Sequence, residues 1–87
     1  PKVFLAVKTV TGTRYSRVVN FQIYWPTPVP SGATYSIDYG DGNTDTGLTT
    51  LTPSHNYDTS VSGTFFTTTL TATWSGGSFT HKTYLTV

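Results

Sequence analysis

From Phe66 to Trp74 the chain reads Phe-Thr-Thr-Thr-Leu-Thr-Ala-Thr-Trp, so Thr67, Thr69, Thr71 and Thr73 alternate with Phe66, Leu70, Ala72 and Trp74. A period of two puts the threonines on one face and the apolar residues on the other, the pattern of a strand with one solvated side and one packed side. The same period governs residues 17–25, where Val19, Phe21, Ile23 and Trp25 alternate with Val18, Asn20, Gln22 and Tyr24. Twenty of the 87 residues are threonine, and glutamate and methionine are absent. β-Branched side chains fit a pleated surface and restrict χ1 in helices, so the composition favours strands and predicts essentially no helix.

Turn signals at short intervals divide the chain into about seven strands, the pattern of a sandwich. They are expected at residues 3–11, 17–25, 34–39, one or two short ones within 43–51, then 55–57, 64–74 and 79–87. Pro26, Pro28 and Pro30 lack the donor a ladder needs and end pairing after the second strand. Ser75-Gly76-Gly77-Ser78 supplies a hairpin turn between the last two. The first strand is apolar on both faces, with Val3, Leu5 and Val7 on one and Phe4 and Ala6 on the other. Such a strand is either covered on both sides or awaits a neighbour.

Ile37-Asp38-Tyr39-Gly40-Asp41-Gly42, then His55-Asn56-Tyr57, then Gly63-Thr64-Phe65 follow one another in the middle of the chain. In spacing and order these segments resemble the PKD domain, and the match covers roughly residues 34–74. The resemblance implies an all-β, immunoglobulin-like β-sandwich of about seven antiparallel strands, one domain over 1–87, of a kind repeated in large extracellular proteins. Ile37 stands where tryptophan is common in the family, and Tyr39 where phenylalanine is. The apolar phase beginning at Phe66 runs one position late for the family, which a β-bulge near Phe65 and Phe66 would absorb. The resemblance also implies that His55 and Tyr57 lie close to the Asp38-bearing strand.

Length, charge and cysteine count exclude several classes. A single domain of this size has room for little beyond a core. There is no cysteine, hence no disulfide, thiolate metal site or cysteine nucleophile. A net charge of +1 gives no basic field for nucleic acid. No apolar run is long enough to insert in a membrane, and a chain that starts at Pro1 without methionine or signal peptide reads as a piece of something longer.

Asp41, Asn43 and Asp45 alternate beside Gly42 and Gly47, as oxygen ligands of a calcium loop would. Thr46 occupies the place of the sixth-position glycine and no acid supplies the bidentate ligand, so these residues read better as turn caps, and no cofactor or metal is expected. Ser54, His55 and Asp38 can be written as a triad, but no nucleophile elbow accompanies them. Among the aromatics, Tyr15, Tyr24, Phe65 and Tyr84 fall on outward faces.

The favoured expectation is a non-catalytic structural or interaction module of an extracellular or cell-surface assembly: a surface layer, stalk, filament or adhesin. Its partners would be neighbouring domains or copies of itself, with Phe4, Ala6, Tyr24 and Tyr84 as the interaction surface. The alternative is an accessory module of a secreted hydrolase that holds carbohydrate or protein. Threonine-rich, weakly charged surfaces resemble those of microbial surface proteins, which suggests the extracellular location.

Overall fold

The computed structural model describes the backbone of residues 2–87 and the side chains of all of these but 61 and 62. Of the domain limits 1–87, only Pro1 falls outside the described residues. Seven strands form among the described residues: β1 (Phe4–Gly12), β2 (Ser16–Tyr24), β3 (Thr34–Asp38), β4 (Thr44–Leu48), β5 (Ser54–Asp58), β6 (Phe65–Trp74) and β7 (Gly77–Thr86). They pair antiparallel into two sheets, β1-β2-β5 and β4-β3-β6-β7. The helical content among the described residues is a single turn, α1 (Thr59–Ser62), capped by the Asp58 carboxylate accepting from the Ser60 amide.

Alternation decides which side of each strand is buried. Val19, Phe21 and Ile23 of β2 meet Ile37 of β3 and Phe66, Leu70 and Ala72 of β6, all buried between the sheets. Each large apolar side chain so enclosed contributes on the order of 2 kcal/mol. Trp25, Trp74 and Phe79 pack half-buried at the margin of this core.

The bulge expected at Phe65 and Phe66 is not there. β6 and β7 pair without interruption from Phe65 opposite Thr86 to Trp74 opposite Gly77. Phe65 simply turns to solvent, 64 % exposed, and Phe66 takes the core position. The hairpin is also tighter than expected, since Gly77 and Ser78 already belong to β7 and only Ser75 and Gly76 form the loop. Irregularity falls elsewhere. Lys8 is an extra residue in β1, between the pairs Val7–Phe21 and Thr9–Asn20. It shifts the inward phase of β1, so Val3 and Leu5 are buried and Val10 packs on the core, while Val7 is 37 % exposed. A second bulge, at Thr46 and Gly47 of β4, uses the positive φ of Gly47, +66°.

The fold is a rod of 41 × 21 × 18 Å, with the start of β1 and the end of β7 at opposite poles. Phe4 lies opposite Tyr24 at the end of β2, beside the pole closed by Trp25 and Trp74, whose rings meet edge to face at 5.5 Å. Trp25 Nε1 donates to the Tyr35 hydroxyl there at 2.8 Å. Thr86 ends β7 opposite Phe65 at the other pole, near the β3–β4 turn and α1.

β1 and β7 run side by side in the same direction and close one flank of the sandwich. Thr83 Oγ1 donates to the Leu5 carbonyl at 2.6 Å, and the Phe4 ring meets the His81 ring edge to face at 5.5 Å. The doubly apolar first strand is thereby half covered by its own chain: Phe4 keeps 41 % of its surface exposed and Ala6 is half-buried. On the opposite flank β4 and β5 are edge strands of five residues each.

Candidate functional site

The densest polar chemistry gathers where β3 leaves its sheet. Gly40 follows Tyr39 with φ +83°, and a Cβ there would sit 2.2 Å from the Thr67 carbonyl oxygen. Only glycine allows this approach, and it swings the chain into a turn. Asp38 and Asp41 cap that turn, accepting from the Gly40 and Asn43 amides at 3.0 and 3.1 Å. Gly42 completes the turn at φ +93°, and Gly63 ends α1 at φ +83°.

β5, in the other sheet, aims two rings at this turn. His55 Nε2 lies 2.8 Å from Asp41 Oδ2, the one ion pair among the described residues when the imidazole is protonated. The imidazole lies flat on the Tyr39 ring, centroids 3.8 Å apart at 4°, and Tyr57 stands edge-on to it at 4.8 Å. The Tyr39 hydroxyl donates to Asp45 Oδ2 at 2.8 Å. Below them the hydroxyls of Tyr57 and Thr68, 2.8 Å apart, both reach the Tyr39 carbonyl, at 3.0 and 3.1 Å. Two hydroxyl protons can thus satisfy one carbonyl and the link between the hydroxyls, with no buried polar atom left over among the described side chains.

Burial holds the Tyr39 phenol far above its ordinary range, and the bond to the Asp45 carboxylate adds to the shift. Burial likewise pushes Tyr57 up to about 12. For Asp41 burial alone would raise the carboxyl, but the bonds from His55 and the Asn43 amide outweigh it and leave it below the ordinary carboxylate value.

Ile37, Asp38, Tyr39, Gly40, Asp41, Gly42, His55 and Tyr57 therefore converge as one cluster, and its contacts are structural ones. The calcium reading is not supported by the geometry. Asp41 is turned to His55 and Asp45 to Tyr39, while the Asn43 carbonyl accepts from the Tyr39 amide. No group of three acidic, histidine or cysteine side chains that could hold a metal forms among the described residues. The triad is not assembled either: His55 takes Asp41 rather than Asp38, and Ser54 lies on the exposed side of β5. The four proposed interaction residues divide between two surfaces. Phe4, Ala6 and Tyr24 share the outer face of the three-stranded sheet, whereas Tyr84, 66 % exposed, lies on the outer face of the other.

Thr68 is the member of the cluster that the sequence pattern hides. It sits among three consecutive threonines, yet its parity is that of Phe66 and Leu70, and it is fully buried. Parity alone is the signal that finds it. An open depression of about 390 Å³, lined by Lys8, Thr9, Asn20, Phe21 and Thr52, lies away from the cluster, on the three-stranded sheet.

No family model matches this chain, and no curated protein or solved structure matches it. What its geometry defines is a class: an all-β sandwich of two antiparallel sheets, tied across one pole by a buried aromatic, histidine and carboxylate cluster.

Proposed function

We propose that this chain is a non-catalytic, PKD-like building unit of an extracellular or cell-surface assembly such as a surface layer, stalk, filament or adhesin. The observation that carries the reading is the course of the terminal strands. β1 and β7 lie parallel and adjacent, and the chain enters at one pole and leaves at the other. Tension between the ends pulls the two strands past each other, so the contacts Thr83–Leu5 and Phe4–His81 are loaded in shear together rather than one after another. The enclosed cluster agrees with a non-catalytic role, because the His55 ring is covered by Tyr39 and Tyr57 and its Nε2 is committed to Asp41. The threonine-rich, weakly charged surface supports an extracellular setting.

Single-molecule pulling tests the mechanical part. Pulled by its two ends the domain unfolds at a high force, which Thr83→Val lowers. Pulled between Thr13→Cys and the C-terminal end, which lie at one pole, it unzips at a severalfold lower force. Equal forces in the two geometries defeat the proposal.

A further inference from the structure

Apart from the contact of Phe4 with His81, the outer face of the three-stranded sheet carries a combination that the mechanical role does not use. Phe4 and Tyr24 are directly opposed across β1 and β2 and remain 41 % and 53 % exposed. Large aromatics left in solvent side by side are unusual unless something stacks on them. Beyond them on the same face lies the depression, where the bulge presents Lys8 beside Asn20 and Thr52. Bulges re-aim side chains in this way next to binding sites.

Charge narrows the occupant. Lys8 makes no ion pair among the described residues. Lys2, also exposed, stands two positions before Phe4. Three of the four aspartates, Asp38, Asp41 and Asp45, belong to β3, β4 and the turn between them in the other sheet. The fourth, Asp58, ends β5 four residues beyond Ser54, the partner of Asn20, roughly 13 Å away along the strand. The aromatic end of this face therefore holds cations without carboxylates. Its amides offer acceptors as well: Asn20 spends its NH₂ on Thr9, and Gln22 on the Ile23 and Leu51 carbonyls, leaving the side-chain oxygens.

We propose that this face binds an acidic oligosaccharide, with a sugar ring stacked on Tyr24 and Phe4 and a uronate carboxylate at Lys8. The aromatic pair and Lys8 are separated by about four residues of β1, on the order of 13 Å, which a short oligosaccharide bridges and a monosaccharide does not. A second copy is a poorer occupant. Its threonine-rich outer face sets Asp38 and Lys82 on either side of Thr69 in one rank, so their charges cancel.

The test is an amide chemical-shift titration with tetragalacturonate, beside cellotetraose as the neutral tetramer and tetraglutamate as charge without rings. Tetragalacturonate is expected to shift amides of β1 and β2 around Phe4, Lys8, Asn20 and Tyr24, with binding weakened by salt. Lys8→Gln and Tyr24→Ser, both at exposed positions and checked for retained amide dispersion, each weaken it about tenfold. Any of the following overturns the proposal: no shifts at millimolar ligand, shifts on the four-stranded sheet instead, cellotetraose or tetraglutamate bound equally well, or self-association through this face that Tyr24→Ser removes. The two proposals share only Phe4, whose contact with His81 is one of those loaded in shear. Lys8→Gln and Tyr24→Ser leave that contact in place, so the pulling result and the binding result can each fail without the other.

Discussion

His55 of one sheet lies flat on Tyr39 of the other, with ring planes 4° apart and centroids separated by 3.8 Å. The stack places the imidazole edge where it reaches Asp41, so a single histidine joins the two sheets through both its face and its Nε2. The bond of Tyr39 to Asp45 and the hydroxyl pair beneath it extend the same tie.

Gly40→Ala tests how closely β3 approaches β6. The added methyl meets the Thr67 carbonyl at 2.2 Å, and φ is +83°, so both sterics and backbone conformation oppose it. A loss of about 3 kcal/mol or more is expected in denaturant melts. Gly42→Ala, at a turn position with open space around it, costs less.

Asp41 makes stability fall on the acid side. Its folded pKa lies below the ordinary 3.8, so its contribution is fully present above that value and is lost as pH falls through the lower folded one. Asp41→Asn is expected to lower the melting temperature at neutral pH and to flatten the acid limb of a plot of melting temperature against pH. An acid limb as steep as that of the parent chain would exclude Asp41 as its source.

On the alkaline side Tyr39 and Tyr57 act together. Both phenols are raised above the ordinary 10.0, so they favour the fold fully below that pH and the favour is lost as pH rises through the folded values. Ultraviolet titration is expected to show Tyr39 and Tyr57 ionising only with unfolding, which is followed through Trp25 and Trp74 fluorescence. Ionisation of all six tyrosines near pH 10 in the folded protein contradicts the burial described.

Tyr57 and Thr68 are coupled through the Tyr39 carbonyl. Either Tyr57→Phe or Thr68→Val leaves that carbonyl one donor, so each is expected to cost about 1 kcal/mol. The double variant removes both donors and strands a buried acceptor. Its cost should exceed the sum of the singles by at least about 0.5 kcal/mol in a double-mutant cycle. Strict additivity would mean that the hydroxyls do not share this carbonyl.

The strands were legible because parity is a strong signal. Val19, Phe21 and Ile23, and again Phe66, Leu70 and Ala72, bury as their alternation demands. The motif residues were legible as a set, since Tyr39, Asp41, His55 and Tyr57 do meet, but their pairings were not. Whether His55 takes Asp38 or Asp41 depends on how Gly40 bends the chain, a choice made by contact with β6 some 27 residues further on. Bulges were the least legible feature. The extra residue lies at Lys8, where nothing local marks it, because a bulge is set by what both neighbouring strands pack against.

The flank formed by β4 and β5 has a consequence for crowded surroundings. Long flat margins of a sheet recruit strands from other molecules and seed fibrils. Here the two longest strands that border their sheets, β1 and β7, shield each other, and the two left open are five residues long, one of them kinked at Gly47. Identical molecules packed at high density can then touch without exchanging strands. Substituting Gly47 and extending β4 with β-branched residues is the change most apt to turn this domain into an aggregate.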